Sequence, residues 1–191
     1  NIAIEGSFDD CQKIVKDMFN DNEFREKINM SGVNSINWAR IICQIVYYFY
    51  AAFKIGKQNI SFSVPTGNFG DVYAGYIAKQ MGLPIDKLIV ATNENDILQR
   101  AINTGEYKPD RVKPSLSPSM DIQVSSNFER LLFDILKGDD KKVVTLMNDL
   151  KTKGFFKLDK ESIKIIQKDF CAETINDEET LAIIKKFYIE S

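Results

Sequence analysis

Apolar residues recur along this chain in two distinct periods. Cys11, Ile14, Val15, Met18 and Phe19 fall at helical spacing and predict an amphipathic helix with its apolar stripe on the core. Ser7 and Asp10 have the spacing of a capping box that would start it. Asn20-Asp21-Asn22 then recaps the chain for a shorter helix ending near Met30-Ser31-Gly32. Ile41 to Phe53 is the longest apolar stretch; it contains Gln44, is too short for a membrane span, and predicts a buried helix. Strand-like runs stand at Ile2-Ala3-Ile4, Ile60 to Val64 and Lys87 to Ala91, with Asp169 to Ala172 as a candidate return to the sheet. Asn127 to Leu136, Asp140 to Thr152, Asp159 to Lys168 and Asp177 to Ile189 predict helices whose charges lie largely opposite their apolar faces, so ordinary packing accounts for them.

The stretch Ile60 to Met81 organises the rest. A short strand meets Pro65, turns through Thr66-Gly67-Asn68-Phe69-Gly70, and enters a helix carrying Val72, Tyr73, Tyr76, Ile77 and Met81. Another strand and helix follow at tight spacing, with Thr92 to Asp96 as a polar loop capping the second helix. This alternation predicts an α/β fold: a parallel sheet flanked by helices, joined by right-handed crossovers. Ligands in such sheets sit beyond the carboxyl ends of the strands, which sets Val64 to Gly70 and Ala91 to Asn95 on one rim. The glycine turn leaves backbone N–H groups aimed at one point near the positive end of a helix dipole, a setting that suits a phosphate. Gly67 and Gly70 allow close backbone approach, and Asn68 adds a side-chain N–H. The same turn also joins strands to helices in proteins where it holds no ligand. It is not a Walker A loop, since no Lys-Ser/Thr follows. Asp71 would repel an anion and is expected to cap backbone or to pair outside the site.

A second anion site is suggested at Asn34-Ser35-Ile36-Asn37-Trp38-Ala39-Arg40. Arg40 stands in the first turn of a helix, where a cation opposes the dipole, so local helix stability does not explain it. Asn34, Ser35 and Arg40 can converge on a phosphate, with the guanidinium bidentate. The competing reading has Asn34 or Asn37 capping the helix and Arg40 paired with a surface acid. From Gly105 to Ser126 regularity fails. Pro114, Pro118 and the serines between them make a long loop, either functional or a plain connector.

Composition prunes the chemistry. The 191 residues suffice for one sizeable domain or two small lobes, and with 44% hydrophobic content they predict a packed globule. Histidine is absent, which removes Ser-His-Asp and Cys-His catalysis and the common transition-metal ligand sets; no metal site is expected. Cys11, Cys43 and Cys171 are odd in number and far apart, as in a reduced cytoplasmic protein. The formal net charge is -2 with lysines interleaved among acids, so no nucleic-acid partner is expected, and no membrane partner either. The chain starts at Asn1 without a signal peptide, which suggests an excised piece.

Five strings together resemble the threonine synthase family: Glu5-Gly6-Ser7-Phe8-Asp9-Asp10-Cys11-Gln12, Asn34 to Arg40, Pro65 to Asp71, Ala91 to Asp96, and Ser117-Pro118-Ser119-Met120-Asp121-Ile122. They occur in family order over the first two thirds of the chain. The resemblance implies a fold-type II enzyme dependent on pyridoxal 5'-phosphate, in which Gly67, Asn68, Phe69 and Gly70 hold the coenzyme phosphate. It implies that Asn34, Ser35 and Arg40 grip the phosphate of O-phospho-L-homoserine, which water converts to L-threonine and phosphate. Residues 1–56 would belong to the coenzyme and substrate lobe and 57–191 to the large phosphate-binding lobe, both incomplete. The family's Schiff-base lysine lies in a Ser/Ala-Phe-Lys-Asp context that no lysine here matches; Phe53-Lys54 is followed by Ile55-Gly56 instead. The chain is therefore expected to be the middle of such an enzyme, inactive without the N- and C-terminal parts. Another fold-type II lyase, such as a threonine dehydratase or cysteine synthase, would share the glycine loop but not the Asn34 to Arg40 string. A non-catalytic α/β module is the remaining alternative.

Overall fold

The computed structural model describes residues 3–6, 8–32 and 36–190. The chain opens with α1 (Phe8–Asn20) and α2 (Asn22–Lys27), followed by the long α3 (Trp38–Ile55). β1 (Ile60–Pro65), α4 (Gly70–Gln80), β2 (Ile85–Thr92) and α5 (Ile97–Thr104) then alternate. β3 (Glu106–Tyr107) leads into the long loop, which holds one 3-10 turn at Pro118–Met120. α6 (Phe128–Ile135), α7 (Asp140–Lys153), β4 (Phe156–Lys157), α8 (Lys160–Asp169), β5 (Phe170–Thr174) and α9 (Asp177–Glu190) complete it.

β1, β2 and β5 form a parallel sheet in the order β1-β2-β5, as the strand-helix alternation predicts. Val64 stands opposite Val90, and Val90 opposite Ala172. All three are buried, because helices cover the sheet. On one side α3 packs on α4, and the approach is close enough that a Cβ on Gly75 would meet the Tyr48 ring at 2.5 Å and Leu88 at 2.9 Å. α5 contributes Ile97, Leu98, Ala101 and Ile102 to the core, and α6 adds Phe128, Leu131, Leu132 and Ile135. Phe69 lies between Phe128 and Phe170, at ring-centre distances of 5.3 and 5.6 Å. Tyr107 stacks between Phe128 and Phe156 at 5.5 and 4.8 Å.

Several expectations are corrected. Of the run Ile2-Ala3-Ile4, Ala3 and Ile4 are exposed and in no strand, since nothing offers them a backbone ladder to join. The apolar stripe of α1 is not core: Ile14 is 44% exposed, and among the described residues of this helix Gln12 alone is buried. α3 is buried along one face only. Ile41, Ile45, Tyr48 and Ala52 turn inward, while Val46, Tyr50 and Phe53 stay exposed. α9 buries nothing; Leu181, Ile184 and Phe187 face outward. Within the segment lacking sequence regularity, β3 pairs antiparallel with β4 through Glu106 opposite Lys157 and Tyr107 opposite Phe156. That pairing joins residues fifty positions apart and carries no local signal.

The long loop is pinned by one carboxylate. Asp121 Oδ1 accepts from Asn93 Nδ2 at 2.7 Å, Asn95 Nδ2 at 3.1 Å and Ser115 Oγ at 2.6 Å, while Oδ2 accepts from the Ser115 amide at 2.9 Å. Asn93 and Asn95 follow directly on β2, so the loop is tied to the carboxyl-end rim of the sheet. A carbamoyl group in place of the carboxylate would set donor against donor. Asp121→Asn should lower the unfolding free energy in urea by about 3 kcal/mol, the order of two charge-assisted hydrogen bonds. Glu178→Gln, on exposed α9, should stay within about 0.5 kcal/mol of the parent.

Candidate anion site at the head of α4

β1 ends at Pro65, and the Thr66 amide donates to Ala91 O at 2.8 Å, fastening the turn to β2. The Thr66 hydroxyl donates back to Val64 O at 2.6 Å. Phe69 then adopts a left-handed backbone, φ 65°, and α4 starts at Gly70. Its first intrahelical bond runs from the Tyr73 amide to Phe69 O at 3.0 Å. No side chain among the described residues caps this end, so the amides of Gly70, Asp71 and Val72 remain without an intrahelical acceptor. They border a cavity of about 160 Å³ lined by Pro65 to Val72 on one side and by Arg40 and Gln44 of α3 on the other. Among the described residues Arg40 makes no ion pair. Asn37 supplies the cap of α3, its Oδ1 accepting from the Ala39 amide at 2.9 Å, as one part of the competing reading expects. Oriented amides, the helix dipole and an unpaired guanidinium suit a small dianion such as phosphate.

A larger cleft of about 590 Å³ is bordered by Trp38, Tyr73, Arg130 and Asp134. Two of its polar groups are already engaged. Arg130 donates to Ile36 O and Asn127 Oδ1 and lies 5.4 Å from the Trp38 ring centre, while the Tyr73 hydroxyl donates to Asp134 at 2.8 Å. The smaller cavity alone of these two adds the open head of a helix to a guanidinium.

The expected residues fare differently. Arg40, Gly67, Asn68, Phe69 and Gly70 come together around the one cavity. Asn34 and Ser35 lie outside the described residues. Phe69 can serve only through its backbone, because its ring is 1% exposed in the aromatic core. Gly67 also meets the long loop: an added Cβ would lie 2.7 Å from Ile122 Cδ1, which would have to shift to admit it. Asp71 pairs with Tyr48, its backbone and side-chain oxygens accepting from that hydroxyl at 2.9 and 3.3 Å, but it lines the cavity and does not stand outside the site as expected. Burial raises the Asp71 carboxyl above the usual carboxylate range despite that hydrogen bond, and burial likewise raises the Tyr48 hydroxyl, helped by the nearby Asp71. Lys54 is exposed at the far end of α3, its ammonium 5.6 Å from the Tyr50 ring centre, and does not line the cavity. Among the described residues no group of three acidic or thiol side chains is set to hold a metal, and no helix is long and apolar enough to cross a membrane.

Sequence reasoning missed the residues behind the site. Gln12 Nε2 donates to Asn68 Oδ1 at 3.4 Å, and Asp9 Oδ2 accepts from the Gln123 amide at 3.2 Å, so α1 docks on the turn and the loop through polar groups. Burial raises the Asp9 carboxyl above its ordinary range, against backbone donors that lower it. One signal was available: Gln12 lies three and seven positions before Val15 and Phe19, on an otherwise apolar helical face.

No protein-family model matches the chain. The threonine synthase of Saccharomyces cerevisiae is 50% identical over 204 residues, covering 100% of this chain and 40% of that protein. That of Pseudomonas aeruginosa is 51% identical over 193 residues, covering 100% of this chain and 41% of its own length. The crystal structure of a PLP-bound threonine synthase from Brucella melitensis superposes with a TM-score of 0.84 at 54% identity, over 93% of this chain and 39% of that one. The chain thus spans about two fifths of the length of these three relatives.

The raised Asp71 carboxyl sets a pH dependence. Its uncharged form is favoured in the folded chain, so that contribution is full below the ordinary carboxylate pKa and is lost as pH rises through the raised value. Ionisation also brings negative charge to the cavity wall. Sulfate, which stays dianionic, should therefore bind more weakly as pH rises from about 4 to 7. Asp71→Asn should flatten the profile and tighten binding roughly three- to tenfold at neutral pH, as read by calorimetry.

Proposed function

Because this chain belongs to the threonine synthase family and is related to it along its whole length, we propose that it is a segment of an enzyme converting O-phospho-L-homoserine and water to L-threonine and phosphate. The observation that carries the proposal is Arg40, without an ion pair among the described residues, facing across one cavity a start of α4 that no described side chain caps. On this reading the amides of Gly67, Asn68, Phe69 and Gly70 hold the phosphate of pyridoxal 5'-phosphate, and Arg40 with Asn34 and Ser35 holds the substrate phosphate. The donor set fits such a group: backbone N–H groups and a guanidinium, both suited to phosphate oxygens. When bound, the coenzyme supplies the electron sink for proton loss from carbon.

The chain's own residues bind and orient. Phe69, locked in the core, aims the turn; Arg40 supplies fixed positive charge; Ile122, against Gly67, closes one side of the turn to water. Residues 1–56 then belong with the coenzyme and substrate lobe, and 57–191 with the larger lobe that carries the phosphate loop. Cys11, Cys43 and Cys171 are unpaired, which supports a reducing, cytoplasmic setting. The rival readings, another lyase of the same fold type or a non-catalytic module, have less support, since relatives at about half identity are threonine synthases.

Calorimetric titration of the chain with inorganic phosphate and with pyridoxal 5'-phosphate tests the site. Arg40→Ala should weaken phosphate binding roughly 10- to 100-fold, the worth of a charge-assisted pair. The isolated chain should show no turnover of O-phospho-L-homoserine, as no lysine borders the cavity. Unchanged phosphate affinity in Arg40→Ala, or turnover by the isolated chain, would contradict this reading.

A further inference from the structure

Helix α1 is seated in an unusual way. Its apolar residues from Cys11 to Phe19 remain partly or largely exposed, yet Gln12 is 7% exposed. A buried amide costs free energy unless both ends are paired, and Gln12 Oε1 has no partner among the described residues. Its other end, Nε2, donates to Asn68 Oδ1 at 3.4 Å. Ser126 Oγ donates to the same oxygen at 3.2 Å. The backbone of Asn68 is fixed as well, its carbonyl accepting from the Asn127 amide and from Asn127 Nδ2, both at 3.0 Å.

Two donors on Oδ1 decide which way the Asn68 amide faces. Oxygen and nitrogen diverge from one planar carbon, so an oxygen held toward α1 and Ser126 leaves Nδ2 directed to the other side. Among the described residues Nδ2 has no hydrogen bond to protein, and Asn68 lines the cavity with Arg40 and the α4 amides. With the amide reversed, the oxygen would confront an anion.

We infer that Gln12 and Ser126 are positioning residues that hold the Asn68 amide with its N–H groups turned to the bound phosphate, so that α1 supports anion binding without touching the anion. The inference rests on the anion site proposed above. It explains why a half-satisfied glutamine is buried on a helix whose apolar stripe is not.

A double-mutant cycle read by calorimetry with inorganic phosphate tests it. Gln12→Met keeps the shape and removes the donor; Ser126→Ala removes the second donor. Each should weaken phosphate binding roughly three- to tenfold, while Asn68→Ala should weaken it about tenfold. In the Asn68→Ala background both changes should be silent, a coupling that general loosening of the fold would not produce. Equal losses in the two backgrounds, or no loss in the parent, would overturn the inference while Arg40→Ala still weakens binding. If Arg40→Ala is silent too, the anion site itself fails and the inference falls with it. Should Gln12→Met not fold, the Ser126→Ala half of the cycle decides alone.

Discussion

Everything at the site depends on one backbone angle. A left-handed conformation costs a residue with a side chain about 1 to 2 kcal/mol, and Phe69 carries one. Burial of its ring recovers roughly 2 to 3 kcal/mol, and its contacts with Phe128 and Phe170 add about 0.5 to 1.5 kcal/mol each. Packing therefore wins, and the turn is held where a glycine would leave it loose. The consequence is directional: with the ring inward, the amides at the head of α4 must face the cavity and Arg40.

Segments remote in sequence converge on this turn. Ile122, in the loop tied down by Asp121, lies where Gly67 would carry a side chain. Asn127, just ahead of α6, grips the Asn68 carbonyl, and α1 reaches the Asn68 amide. Tyr48 of α3 holds Asp71, so the helix bearing Arg40 is joined to the helix whose N-terminus shares its cavity. A site built this way gains its geometry from tertiary contacts rather than from the local propensity of the glycine turn.

The parallel sheet, the glycine turn and the rim shared by Val64 to Gly70 and Ala91 to Asn95 were legible because each is written in contiguous residues. Strand runs, turn residues and helical spacing act locally, and β1, α4 and β2 follow them closely. What was not legible depends on partners. The stripe of α1 and the outer faces of α3 and α9 carry the periodicity of core without being buried, since pattern reports what a face can do and not what covers it. The β3-β4 pair, the Asn93 and Asn95 donors on Asp121 and the buried Gln12 rest on contacts across tens of residues. Within the site, Gly67 was singled out for ligand approach, whereas the structure also brings the Ile122 side chain against it.

The central claim is that the cavity between the head of α4 and Arg40 binds phosphate groups. Titration of ¹⁵N-labelled chain with inorganic phosphate, followed by heteronuclear NMR, reads it residue by residue. Saturable shifts should be largest at the amides of Asn68 to Val72 and at the Arg40 guanidinium, with the Asn68 side-chain amide moving alongside them. Shifts confined to other surfaces, or none at tens of millimolar phosphate, would contradict the account.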